Sequence, residues 1–397
     1  MRKKLSILIA MVICLSTSTT SFAAENINTS NGNSASVQVD NSTLNLTMYD
    51  AVSSIEKNNT EIKLMKDKTN YLNRKYDLDH EAAIALSTSA NGVDKIKVRV
   101  QQDITPAKDQ QEIKNQQYAL EVRLNNMKFD MERQYLNILT SNDQIDNINK
   151  TLTNIDAQIS KLQQQIDLGL ATSDSLNTLN VQKSQLMSQT DSINADIDNS
   201  MLIIKQYLNV NLNRNLNLAT AKKEFSIFDD TSIENIINEA VEKDYGVGEA
   251  KNSLDIAKKQ KEIYEQYDND ISGGLTGAES DLLTAQSNLT ATKAAARTNL
   301  WNKYYTLKSD ESAVETQALS EKSAQDAYDK AKSNYNNGMT DKLALDTAAL
   351  ALDKQKNMSQ RSKNEYMIIQ EELKYMLDGH ASAQPSTKSI GTSGIDY

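Results

Sequence analysis

Residues 107–168 contain neither glycine nor proline. A run of that length with nothing to interrupt it has one regular solution, a single helix of about 93 Å at 1.5 Å per residue. Ile145, Ile148, Leu152, Ile155, Ile159, Leu162 and Ile166 recur along it at alternating steps of three and four. Those steps average 3.5 residues, the period of a left-handed coiled-coil seam. Behind Gly169 the same register resumes through Leu176, Leu179, Leu186, Ile193 and Ile197, with Lys183, Thr190 and Ser200 at polar seam positions. Two such helices around one glycine make an antiparallel hairpin.

The pattern then repeats. Residues 278–337 again lack glycine and proline and end at Gly338, and Leu345, Leu352, Tyr366, Ile369 and Leu373 carry the returning seam. Gly169 and Gly338 lie 169 residues apart, and Leu176 matches Leu345 at that offset. The opening helices match at an offset of 186, Ile55 with Val241. The first copy is therefore roughly 17 residues longer ahead of its glycine. The excess falls in residues 86–106, opposite a shorter break at 268–277. Within it Ile96, Val98 and Val100 alternate with Lys95, Lys97 and Arg99, which predicts a short β segment near 93–100. Thr105-Pro106 opens the next helix.

These features predict a mainly all-α fold of long antiparallel coiled-coil hairpins in two tandem repeats. Residues 1–24 read as a signal peptide: Arg2, Lys3 and Lys4 precede an apolar run, and Ala23-Ala24 offers a cleavage site. Residues 25–43 form a flexible leader rich in Asn, Ser and Thr. The first helical repeat spans 44–217, a connector 218–230, the second helical repeat 231–379, and a disordered polar tail 380–397. The first repeat opens at Thr47, a cap for a helix running through Ile62 and Leu72 toward Ala85. Thr172, Ser173 and Asp174 cap the returning helix, which runs to about Leu212. The second repeat opens at Thr231-Ser232 with one helix to Tyr267.

Net charge is −10 and becomes about −13 once the basic signal is removed. An acidic chain binds no nucleic acid through a basic patch. The only cysteine, Cys14, lies in the signal, so the exported chain has no thiol for a disulfide, metal or nucleophile. His80 and His380 are far apart and read as solvated surface residues. Gly273-Gly274-Leu275-Thr276-Gly277 lacks the strand and lysine of a phosphate loop and reads as a turn. No enzyme activity, cofactor, metal or catalytic site is expected.

Several stretches resemble the TolC family of outer-membrane efflux proteins. The first copy opens with Leu46-Thr47-Met48-Tyr49-Asp50-Ala51 and continues with Asn58-Asn59-Thr60-Glu61-Ile62, similar to the family's Leu-Thr-x-x-x-Ala and Asn-Pro-x-(Ile/Leu). The repeat centres, Leu168-Gly169-Leu170-Ala171-Thr172 to Leu176 and Tyr335-Asn336-Asn337-Gly338-Met339 to Leu345, resemble its Tyr-x-x-Gly-x-x-Thr-x-x-x-(Leu/Val). The resemblance implies a homotrimer whose six repeats form an α-helical tube. It implies a passive efflux or export duct that docks a periplasmic adaptor and, through it, an inner- or cytoplasmic-membrane transporter. Gly169, Thr172, Leu176, Gly338, Met339 and Thr340 are then the adaptor-docking and gating turn. Two departures stand out. Many relatives carry aspartates where this chain has Ala344 and Thr347. The family also inserts two membrane strands per repeat, and a spanning strand needs about 9–11 residues. The 86–106 and 268–277 segments are too short for that, and Ile96, Val98 and Val100 lack an aromatic girdle. The expectation is a barrel-reduced or barrel-less member in the cell envelope, suited to the wall of a single-membrane cell. The rival expectation is an exported coiled-coil rod or surface binding protein without a channel.

Overall fold

The computed structural model describes residues 42–86, 92–170, 172–267 and 273–382. The expected signal peptide, the leader up to residue 41 and the tail beyond residue 382 lie outside the described residues. The first repeat runs β1 (Leu44–Leu46), α1 (Met48–Asn58), α2 (Thr60–Ile84), α3 (Gly92–Arg99), a π turn (Val100–Ile104), α4 (Thr105–Asp167), α5 (Ser173–Tyr207) and β2 (Leu216–Leu218). The second runs α6 (Ile233–Lys243), α7 (Tyr245–Tyr267), α8 (Gly274–Asn336), α9 (Lys342–Tyr375) and a closing π turn (Met376–His380).

Thr47 caps α1 as expected, its hydroxyl accepting the Asp50 N–H at 3.1 Å. The helix does not run on to Ala85. Asn59 has extended backbone (φ −66°, ψ 127°) and its side chain caps a second helix by accepting the Ile62 N–H. Its amide also donates to the Tyr207 carbonyl at 3.2 Å, tying the kink to the end of α5. The second repeat makes the same joint with different chemistry. Asp244 breaks the expected single helix between α6 and α7, accepting from the Val247 N–H and, across the repeat, from the Ser382 N–H at 2.9 Å. Met48–Asn58 and Ile233–Lys243 are both 11 residues and align at an offset of 185, which corrects the expected 186.

Both long helices are 63 residues, α4 and α8, and they align at an offset of 169 from end to end. Their core faces correspond residue by residue. Met127, Met131, Tyr135 and Ile138 pack with α1 and with Ile204 and Leu208 at the end of α5. Ala296, Leu300, Tyr304 and Leu307 pack with α6 and with Leu373 and Leu377 at the end of α9. Each long helix is thus held between its own short opening helix and its own returning helix. That arrangement buries large side chains with few aromatic rings, as the composition demands.

The expected β segment at 93–100 is helical. Ile96, Val100 and Ile104 are four apart, which places them on one helical face, and they pack with Ile256 and Ile263 of α7. That buried contact, and the run-on into α4 through the π turn, override the local alternation. The sheet lies elsewhere. Leu44–Leu46 and Leu216–Leu218 pair in parallel, Leu44 opposite Leu216, so the first repeat closes on a strand that ends where the connector begins. α5 stops at Tyr207, short of Leu212, and the chain turns at Asn209 with φ 51°. His380 is not solvated. Its ring stacks at 4.0 Å on Tyr375 and its Nε2 lies 3.1 Å from Glu121, with 15% of the side chain exposed.

Candidate functional site

Each long helix ends in the same pair of backbone hydrogen bonds. The Gly169 N–H donates to the Ile166 carbonyl and the Leu170 N–H to the Gln165 carbonyl, both at 2.8 Å. The Gly338 N–H donates to Tyr335 and the Met339 N–H to Asn334, at 3.0 and 2.8 Å. Paired bonds of this kind are a Schellman close, which needs a left-handed residue at its centre. Gly169 has φ 72° and Gly338 φ 70°, and a Cβ at either would touch nothing within 4 Å. Glycine is required there by backbone conformation alone.

The turns present apolar tips. Leu168, Leu170 and Met339 are 73%, 76% and 69% exposed. Thr172 begins α5 with extended backbone but makes no side-chain cap, whereas its counterpart Asp341 accepts the Ala344 N–H at 3.0 Å. That bond first, and then Lys161, hold the Asp341 carboxyl below the usual carboxylate range. Lys161 comes from α4 and lies 3.1 Å from Asp341, so it joins the second turn to the first hairpin. Gly169 and Thr172 are exposed and Leu176 is half-buried, while Met339 stands outside a half-buried Thr340. The expected site residues therefore form two matched loops at one end of the helices, bridged by Lys161.

From that end a polar seam runs along α4 and α9, joining the repeats. The Asn154 amide donates to Thr347 Oγ1 at 3.2 Å and the Asn147 amide to the Leu350 carbonyl at 3.0 Å. Arg361, largely buried, donates to Thr140 Oγ1, Asn137 Oδ1 and Ser141 Oγ. Farther on, Arg133 lies 3.1 Å from Glu365 and 3.0 Å from Glu372, and Glu372 is also paired with Lys303 of α8. Lys223 of the connector bridges Glu132 and Glu371. Apolar periodicity is blind to this seam; its one sequence signal is the row of Asn and Thr on successive turns of α4.

Solved structures share this arrangement. The Campylobacter jejuni CmeC outer membrane channel superposes with a TM-score of 0.62, covering 84% of this chain and 85% of its own, at 13% identity. The Vibrio cholerae outer membrane protein VceC gives 0.58, covering 84% and 96%, at 10% identity. CusC, described by its conformational changes on folding and transmembrane channel formation, gives 0.62, covering 84% and 92%, at 11% identity. This chain has the TolC-family fold. No protein-family model and no curated protein matches the sequence, so the likeness is one of fold.

Within the TolC-type fold this chain keeps the paired hairpins and their glycine closes. Among the described residues the only strands are the two of three residues each. No described helix is long and apolar enough to cross a membrane. Ala344 and Thr347 carry no carboxylate. Ala344 supplies an N–H to Asp341, and Thr347 accepts from Asn154. No group of three His, Cys, Asp or Glu among the described residues is placed to hold a metal ion. The solved structures it resembles are channel proteins rather than enzymes.

Proposed function

We propose that this protein is a passive duct of the cell envelope. Three copies, two repeats each, close into a helical tube. The loops at Gly169 and Gly338 form its docking and gating end, where an extracytoplasmic adaptor linked to a membrane transporter binds. The observation that carries the reading is the matched pair of glycine closes, with exposed Leu168, Leu170 and Met339, at one end of two equal 63-residue helices. Apolar tips on a rigid hairpin are a suitable surface for a partner's helical hairpin. The opposite end of α4 is met by α3 and the π turn, whose Ile96 and Ile104 pack on α7. A far end built from packed helices suits a duct that runs through a cell wall.

Electron microscopy of the purified protein tests the tube. A hollow three-fold particle is the expected result, and a solid rod sinks the duct. Affinity capture with adaptors encoded beside its transporter tests the docking end. Leu170→Asp with Met339→Asp is expected to abolish capture while leaving the particle intact; undiminished capture removes the turns from the docking role.

A further inference from the structure

Asparagine precedes glycine at Asn31-Gly32, Asn91-Gly92 and Asn337-Gly338, and the last pair lies inside the close of α8. Glycine in the second place leaves its backbone nitrogen open to the asparagine side chain, because no Cβ stands beside it. Asn337 and Gly338 are exposed, and a Cβ on Gly338 would meet nothing within 4 Å, so water reaches both residues. The first turn holds Leu168 and Gly169 at the same places. Its backbone is the same: Leu168 has φ −88° and ψ 1°, Asn337 φ −87° and ψ 4°. One turn therefore carries a reactive amide and the other an inert side chain.

We propose that Asn337 is a modification site, a deamidation that the closed turn holds back. The Gly338 amide nitrogen attacks Cγ of Asn337, water relays its proton to the leaving nitrogen, and ammonia departs. The new N–Cγ bond closes a succinimide ring across the two residues. Water then cleaves one of the two carbonyl–nitrogen bonds. Cleavage at Cγ leaves aspartate; cleavage at the backbone carbonyl leaves isoaspartate, with the chain running through Cβ and Cγ. Two features of the closed turn oppose the first step. With ψ at 4° the Gly338 nitrogen eclipses the backbone nitrogen of Asn337 and lies away from its Cβ, so the ring cannot close. The Gly338 N–H is also donated to the Tyr335 carbonyl at 3.0 Å, which keeps its proton in place. The reaction runs only while the turn is open, at a rate set by the open population. Asp341 limits that population through the Ala344 N–H at 3.0 Å and Lys161 at 3.1 Å. Isoaspartate then makes the opening permanent. It inserts one more carbon into the chain spanned by the Gly338–Tyr335 and Met339–Asn334 bonds, so the two cannot re-form together. It also adds a carboxylate at the C-terminal end of α8, where the helix dipole disfavours negative charge. The second turn thus keeps a chemical record of having opened, and the first, with Leu168, keeps none.

Timed peptide mapping of the full chain at mildly alkaline pH reads the site, since residues 333–342 form one tryptic peptide that excludes the other two pairs. Conversion of the amide to an acid is expected at Asn337, with isoaspartate confirmed by labelling with an isoaspartyl methyltransferase. It is expected to run at least about tenfold slower than in guanidinium chloride, the factor set by an opening cost of about 1.4 kcal/mol. Asp341→Ala and Lys161→Ala, both at exposed positions, are expected to speed it, and Asn337→Ser to abolish it. In the separated isoaspartyl form, amide exchange is expected to be fast at Gly338 and Met339 and unchanged at Gly169 and Leu170. A folded chain still unconverted when the unfolded chain has fully reacted, or an unfolded chain that does not react, overturns the site. Equal rates in the folded and unfolded chains, or wild-type rates in both Asp341→Ala and Lys161→Ala, overturn control by the turn. Gly338 and Met339 amides that stay protected after conversion overturn the record.

Discussion

Removing one oxygen atom from Tyr135 tests how the first repeat is tied shut. The ring is fully buried on α4, and its hydroxyl lies 2.8 Å from the Leu46 carbonyl and 2.6 Å from the Ala219 carbonyl. It thereby joins the end of β1 to the residue after β2. One proton serves one carbonyl at a time. In Tyr135→Phe the Leu46 carbonyl keeps its bond from the Ala219 N–H at 2.9 Å. Ala219 is exposed, so its freed carbonyl is rehydrated. The phenyl ring stays, and no cavity opens. The loss is thus that of one net hydrogen bond, about 0.5–1.5 kcal/mol, and not the about 1–3 kcal/mol of a stranded buried group. The chain contains its own control. Tyr304 is the residue 169 positions on, and its hydroxyl donates at 2.9 Å to the half-buried Asp230 carboxylate of the connector, away from the strands. That bond goes to a charged group, so Tyr304→Phe also costs stability, but it leaves the strand pair untouched. Urea unfolding followed by circular dichroism, with the slope held common, reads the difference. Amide exchange at Leu46 and Ala219 locates it, faster in Tyr135→Phe only. Faster strand exchange in both variants, or no change in strand exchange in Tyr135→Phe, would refute the assignment.

The three other predictions address the turns, the seam and pH. Gly169→Ala and Gly338→Ala each cost about 1–2 kcal/mol because their φ values are left-handed and nothing else changes; Asn at the same sites costs less, and an unmoved unfolding midpoint for Ala would exclude the close as described. Ile155→Asp places an unpaired carboxylate at a site 6% exposed, a severe class of change; unaltered thermal unfolding would show that Ile155 is not in the seam. Burial first, then Glu365, raises the Asp310 carboxyl to about 6. Its folded pKa exceeds its unfolded one, so its favourable contribution is full below the ordinary carboxylate value of 3.8 and is lost as pH rises through about 6. Asp310→Asn is expected to raise the thermal midpoint near about pH 7.5 and to leave it unchanged near about pH 3, below both values; the opposite order would reject the sign.

The long elements are legible because their signal is long. Absence of glycine and proline, a 3.5-residue period and two glycines are repeated cues that agree with one another, and α4, α8 and both closes lie where those cues put them. The misses are places where a short local pattern meets a tertiary partner. At Ile96, Val98 and Val100 a period of two and a period of four coexist, since Ile96, Val100 and Ile104 also share a helical face. Only the presence of Ile256 and Ile263 on α7 decides between them. Asn59 and Asp244 sit inside apolar patterns that run straight through, and what makes them kinks is a bond to the far end of the repeat, at Tyr207 and Ser382. β1 and β2 are too short for periodicity, yet both read Leu-Asn-Leu, a repeated tripeptide that a search for pairs, rather than for faces, finds.

The polar seam has a different lesson. Asn147, Asn154 and Arg361 look like solvent-facing residues of an amphipathic helix, and their α8 and α5 counterparts, Thr316, Ser323 and Ser192, are exposed in the single chain. What distinguishes the two sets is which of them is covered by the same polypeptide. A contact made within one chain is always at high effective concentration and tolerates buried polar groups, provided each is paired. A contact between copies must be reached from solution, and large apolar residues supply the drive for that. The polarity of the internal seam therefore follows from the continuity of the chain: α4 and α9 are held near one another by the residues between them, and paired Asn, Thr and Arg groups fix their register.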